Sequence, residues 1–223
     1  MDSGLDISTK PVAAVPGIDV SHYQPSIDWQ TVVGAGFQYC FIKATEGLGV
    51  DRSFQGHWQD ALKAGLIRGA YHFFRPSLPI PAQAALFVRT VQQLQPGDLP
   101  PVLDLEAPEY WTHIPTSERA PLAVAWLEAV EHSLGVPPIV YLSPAFANEI
   151  FANAPQLARY RIWIAHHTMA EAPSIPKPWS AWTFWQHSND RAPGVSVPVD
   201  LNRFNGSREE LKALTVQAQP TAI

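Results

Sequence analysis

Gly17-Ile-Asp-Val-Ser21 is a short apolar run carrying one acid, and the turn after it decides the fold. An open, doubly wound sheet built for a dinucleotide would place Gly-x-Gly-x-x-Gly at that turn, so that backbone could approach a pyrophosphate. The chain continues instead as His22-Tyr-Gln-Pro-Ser26, and it carries no Walker-type loop elsewhere. Further runs rich in Val, Ile, Tyr and Phe lie at 39–45, 67–73, 101–106, 138–143, 161–166, 182–187 and 197–202. Between the early runs, apolar residues recur at helical spacing: Phe54, Trp58, Ala61 and Leu62, then Phe87, Val91 and Leu94, then Leu122, Ala125, Trp126, Ala129 and Val130. Gly36, Gly65, Gly97 and Gly135 stand where left-handed helix caps are wanted. After Ser143 the helical signal shrinks to a piece around 145–151, and Pro173, Pro176 and Pro178 mark irregular loop. Eight strand signals alternating with helices in one chain of this length predict an α/β fold. The expected form is a single TIM-like barrel with its later helices short or missing, of the (β/α)5(β)3 kind.

At 223 residues and 46% hydrophobic content, the chain suffices for one barrel core. The expected division is a flexible segment 1–15, a catalytic barrel 16–214 and a flexible tail 215–223. Charged residues make up 16% and the net charge is −5, so no basic field exists to hold nucleic acid. No segment approaches the ~20 apolar residues of a membrane span, which argues against membrane insertion. Met1–Lys10 lacks a charged n-region and an apolar h-region, so Sec export is not expected. The single cysteine, Cys40, lies in an apolar run and reads as a buried, inert thiol.

The chemistry is signalled by position. Strand bodies are apolar, yet the strands end on Asp19, Lys43 with Thr45 and Glu46, Tyr71 with His72, Asp104 with Glu106, Tyr141, His166, Gln186 and Asp200. In a barrel, C-terminal strand ends converge on one face, where active sites are built. Asp104 and Glu106 are two apart, so an extended backbone sets both on one face about 6.5 Å apart at ~3.3 Å per residue. Like charges that close push their pKa values apart, leaving one carboxyl protonated and the other ionised. Glycosidic cleavage uses that division between an acid for the leaving oxygen and an anion for the oxocarbenium-like transition state. The plainer reading, a turn cap or an Arg partner, is weaker for this pair. Asp19 and Asp200 fall on the first and last strands, neighbours in a closed barrel. Each alone is as readily a turn cap as a site acid. Lys43 is unusual in an apolar run and reads equally as an ion-pair tether or a substrate contact.

The chain resembles the glycoside hydrolase family 25 lysozymes, the N-acetylmuramidases sometimes called Chalaropsis-type. The shared strings are Gly17-Ile-Asp-Val-Ser21, Ile42-Lys-Ala-Thr-Glu-Gly47, Gly69-Ala-Tyr-His-Phe73, Asp104-Leu105-Glu106 and Val199-Asp-Leu-Asn202, over about 16–214. The resemblance implies cofactor-free hydrolysis of the β-1,4 bond between N-acetylmuramic acid and N-acetylglucosamine in peptidoglycan glycan strands. It makes Glu106 the general acid/base and Asp104 the residue that stabilises or orients the reacting centre. Asp19 and Asp200 become the remaining site acids, and Tyr71, Tyr141, Lys43, Trp163, Gln186 and His72 the expected substrate contacts. Whether the substrate's own N-acetyl group attacks, with an Asp assisting, stays open. Missing a leader, the chain would be made in the cytoplasm and reach the wall by lysis, a holin or a leaderless secretion machine. That fits a phage endolysin or an antibacterial effector with an immunity protein as partner, and a monomer is the expected state.

Rival readings rest on less. Adjacent His166 and His167 would point to opposite faces of a strand, and no His-Glu-x-x-His or Cys pair is present, so no metal site is expected. Gly-x-Ser-x-Gly is absent. A barrel reduced to carbohydrate or protein binding would have no need of Glu106. A chitinase-type enzyme would carry a longer acid series than Asp-x-Glu.

Overall fold

The computed structural model describes residues 14–92, 94–151 and 154–217. Eight strands close into a barrel in the order β1, β9, β8, β7, β6, β5, β4, β2, with β1 returning to β2. They are β1 (Val15–Val20), β2 (Tyr39–Glu46), β4 (Ile67–Phe73), β5 (Val102–Asp104), β6 (Ile139–Leu142), β7 (Arg161–Ala165), β8 (Phe184–Asp190) and β9 (Val199–Phe204). A two-residue strand, β3 (Gly49–Val50), folds back on the end of β2 as a hairpin that the sequence did not announce.

Helices α1 (Trp29–Gly34), α2 (Phe54–Ala64), α3 (Ile80–Val91) and α4 (Thr116–Leu134) cover the early strands. Asp28 caps α1 by accepting from the Thr31 amide at 3.2 Å. Gly65 and Gly135 end α2 and α4 at φ 87° and 70°, a region closed to most side chains. Gly97 is not a cap, because α3 stops at Val91 and Gly97 lies in the later Gln95–Asp98 turn. Between β6 and β7 the helical material shrinks to a single turn, α5 (Pro144–Phe146), continued as a π-helical stretch Ala147–Phe151, and a 3-10 helix Pro155–Arg159. The proline-rich connection from β7 to β8 has no helix, as expected. The final helix, α6 (Arg208–Leu214), starts on a capping box of Ser207 and Glu210.

Period-two alternation divides the core. Tyr39, Phe41, Val102, Ile139, Trp163, Phe184 and Phe204 fill the barrel interior, while Ile18, Cys40, Ile42, Leu103, Val140 and Ile164 pack outward against the helices. Large rings fit inside because small residues face them. A Cβ on Gly17 would sit 2.4 Å from the Tyr39 ring, and one on Gly69 2.5 Å from the Phe41 ring.

Two expectations change. Segment 1–13 and residues 218–223 lie outside the described residues, but Val216 exchanges backbone hydrogen bonds with Gly97 and Asp98, so the packed unit runs past 214. Strands β8 and β9 are antiparallel, as are β9 and β1. Asp200 is therefore near the start of its strand rather than its end, and reaches the upper face because β9 runs downward.

Candidate active site

A cavity of about 560 Å³ opens at that upper face. Asp19, Lys43, Tyr71, Asp104, Glu106, Tyr141, Trp163, Gln186 and Asp200 all line it. Nine of the ten expected site residues are thus brought together, from all eight barrel strands and the loop after β5. His72 is the exception. Its ring is fully buried outside the barrel, stacked on Trp126 at 5.2 Å and bonded to Thr45 Oγ1 at 2.7 Å and Gln83 Oε1 at 3.0 Å. Neighbouring Tyr71 and Phe73 point inward, so strand parity turns His72 away from the cavity. Burial lowers its pKa to about 4, leaving a neutral core histidine.

Asp104 closes β5, and Glu106 follows on the loop. The next residue, Ala107, takes the left-handed backbone at φ 58°, which turns the chain sharply away after Glu106. The Asp104 side chain is buried, and its Oδ1 has no hydrogen-bond partner among the described residues. Burial first, and then the neighbouring Glu106, hold the Asp104 carboxyl well above the usual carboxylate range. Glu106 is more open. Burial raises it too, against the pull of Lys43. Two acids so coupled titrate as a pair, with one proton retained at pH values where free carboxyls would have lost both.

Asp19 and Asp200 are direct partners in the β1–β9 register. Asp19 Oδ2 accepts from Asn202 Nδ2 at 2.7 Å and from Gln186 Nε2 at 3.0 Å. Burial and Asp200 nonetheless lift the Asp19 carboxyl well above its ordinary value. Both amides are held in register by their other ends. Asn202 Oδ1 accepts from the Trp163 indole at 2.8 Å, and Gln186 Oε1 accepts from the Tyr141 hydroxyl at 3.0 Å. Asp200 accepts from Asn189 Nδ2 at 2.8 Å and is raised mainly by burial.

On the other wall, Lys43 Nζ donates to Glu46 at 2.5 Å, and Arg75 also pairs with Glu46 while stacking on Tyr110 at 3.7 Å. Lys43 is thus tethered and at the cavity surface together. Sequence reasoning set Glu46 among the strand-end residues without giving it a role, and did not assign Arg75, Tyr110, His167, Asn189 or Asn202 to the site. A bulge between Lys43 and Thr45 explains the first: the register slips by one, Thr45 turns outward to His72, and Glu46 comes inward. His166 and His167 do diverge, the first accepting from the Ser174 amide and the second meeting Gln186.

A pocket floored by aromatic rings and ringed by four carboxyls with raised pKa can supply both an undissociated acid and an anion to one bond. Comparison with known proteins points the same way. Residues 18–195 match the model of the glycosyl hydrolases family 25. The chain is 41% identical over 206 residues to Uncharacterized protein YegX of Escherichia coli strain K12, covering 89% of this chain and 72% of that one. It is 35% identical over 217 residues to Lysozyme M1 of Streptomyces globisporus, covering 93% of this chain and 74% of that one. The crystal structure of a bacterial lysozyme from Streptomyces coelicolor superposes with a TM-score of 0.86 at 35% identity, covering 91% of this chain and 97% of that one. With fold, acids and sequence in agreement, the chain is a glycoside hydrolase and belongs to family 25.

Proposed function

We propose that the chain is a muramidase that hydrolyses the β-1,4 bond between N-acetylmuramic acid and N-acetylglucosamine in peptidoglycan. The observation that carries this reading is the pairing of buried Asp104 with more open Glu106 at the mouth of a carboxyl-lined cavity. Glu106 reaches solvent and substrate, and its raised pKa keeps a proton for the leaving oxygen. The pair shares its retained proton: with the proton on Glu106, Asp104 supplies negative charge beneath the developing oxocarbenium centre, and with it on Asp104, that carboxyl orients a substrate acetamide that attacks. Asp19 is locked in place by two amides on the opposite wall, with Asp200 beside it. Tyr71, Tyr141 and Trp163 offer ring faces and edges for sugar contact. Hydrolysis of this bond would be bacteriolytic, which suits delivery to a wall either at phage lysis or against a rival cell.

Glu106→Gln tests the reading. It should abolish release of soluble fragments from purified sacculi with thermal unfolding unchanged or raised, and wild-type-like turnover would refute the assignment. Mass spectrometry of wild-type digests should show reducing N-acetylmuramic acid ends. Reducing N-acetylglucosamine ends or cut peptides would point to a different bond.

A further inference from the structure

Beside the active cavity lies a second one of about 390 Å³, and Lys43, Glu46 and Arg75 form the wall between them. Its outer side is made by the β2–β3 hairpin and the start of the following turn. Leu48 and Val50 on that hairpin are 51% and 55% exposed, and Val50 lines the cavity together with Leu78. Apolar side chains left open beside a substrate groove mark a contact surface.

The charges there are unequal. Both anions lining the second cavity are engaged: Glu46 by Lys43 and Arg75, and Asp51 by the His22 ring at 2.6 Å and the Ser53 amide at 2.9 Å. Arg52 is exposed and makes no hydrogen bond or ion pair among the described residues. Three permanent cations (Lys43, Arg52, Arg75) face two anions (Glu46, Asp51), a local surplus on a chain whose net charge is −5. Such a place suits a ligand with a free carboxylate and a small apolar side chain.

Resting on the muramidase reading, we infer that this cavity is a subsite for the acidic, alanine-bearing peptide that hangs from the lactyl ether of the muramyl residue. A glycan lying across Asp104 and Glu106 has the Lys43–Glu46–Arg75 wall alongside it, and a side arm crossing that wall enters the second cavity. Arg52 then pairs with a peptide carboxylate, while Val50 and Leu78 take the alanine methyl. The enzyme would select for glycan that still carries its peptides.

Two polymers test this: peptidoglycan glycan with its stem peptides, and the same glycan stripped by an amidase that cuts the lactyl amide. Wild type should cleave the peptide-bearing polymer with the higher kcat/KM. Arg52→Glu should lower that value about fivefold, as expected for loss and reversal of one exposed ion pair, and leave the stripped polymer unaffected. Equal losses on both polymers, or no loss on either, would overturn the subsite while leaving the muramidase reading in place. If wild type cuts neither polymer, the muramidase reading fails instead. The subsite is then decided by titrating wild type and Arg52→Glu with the dipeptide L-alanyl-γ-D-glutamate: a Kd weakened about fivefold supports it, and an unchanged Kd overturns it.

Discussion

Replacing Asp104 by Asn should make the protein more stable at neutral pH while it loses activity. The side chain is only 4% exposed, and its Oδ1 lacks a partner among the described residues. An unmet buried polar atom costs about 1–3 kcal/mol, and more when charged. Glu106 adds repulsion, and Lys43 takes part of it back. The amide keeps the shape and removes the charge, so a gain of about 1–3 kcal/mol is expected, or roughly 2–12 °C in Tm for a chain of this size. The pH dependence follows from linkage. Because the folded pKa lies above the ordinary 3.8, the native state holds its proton where the unfolded chain has lost it. Wild-type stability attributable to this group is complete below 3.8 and drains away as pH rises through the folded value. The advantage of Asn should therefore be largest at neutral pH and shrink toward zero in acid. Calorimetry of both proteins across that range, with sacculus hydrolysis measured alongside, checks it. A variant that is less stable at neutral pH, or equally stabilised at every pH, would refute the claim that Asp104 is held as a costly buried acid.

Asn202→Leu should raise the Asp19 pKa further by removing a donor to its ionised form, moving the acid limb of the pH–rate profile upward. It should also cost about 1–3 kcal/mol by orphaning the Trp163 indole, a loss that thermal unfolding would show. Asn202→Asp should recover part of that stability, since it still accepts from Trp163, but not the activity. His72→Leu should destabilise by about 1–3 kcal/mol, because Thr45 and Gln83 lose a buried partner, with kcat/KM on peptidoglycan unchanged. Ala107→Gly should relieve the ~1–2 kcal/mol of a left-handed alanine and return ~0.4–1 kcal/mol through the looser unfolded chain. The net is a small gain in denaturation midpoint with a lower kcat, as Glu106 loses a fixed anchor.

The barrel was legible because apolar runs of strand length and helical spacings alternate without interruption up to β6, and both signals are local. The acids were legible because a charge inside an apolar run has few reasons to be there. What escaped reading depends on register. His72 follows Tyr71 in a strand that ends at the cavity, and nothing in Tyr-His-Phe says which parity faces in; only packing against Gln83 and Trp126 decides it. Glu46 stands three residues after inward-facing Lys43 and would face outward by parity, and a bulge invisible in composition corrects the count. Leu94 had the right spacing for α3, yet that helix stops at Val91.

The reversed last strand shows why the site needed departure from a regular barrel. In an all-parallel barrel, each strand offers its carboxyl end to the upper face, and loops after it carry the remaining groups. Here β9 enters from above, so its first residues are at the site and its later ones descend into the core. Antiparallel pairing with β1 then sets Asp200 opposite Asp19, and with β8 sets it opposite Asn189. The same alternation brings Asn202, two residues below Asp200, under Asp19 and beside the Trp163 indole. One strand thus supplies an acid and the amide that fixes a second acid, a pairing that a parallel crossover with its intervening helix would have to assemble from separate elements. The order Asp200-Leu-Asn202 is therefore a single geometric unit. Moving Asn202 by one position would turn its side chain outward and leave Asp19 with one donor fewer, and moving Asp200 would take an acid from the cavity.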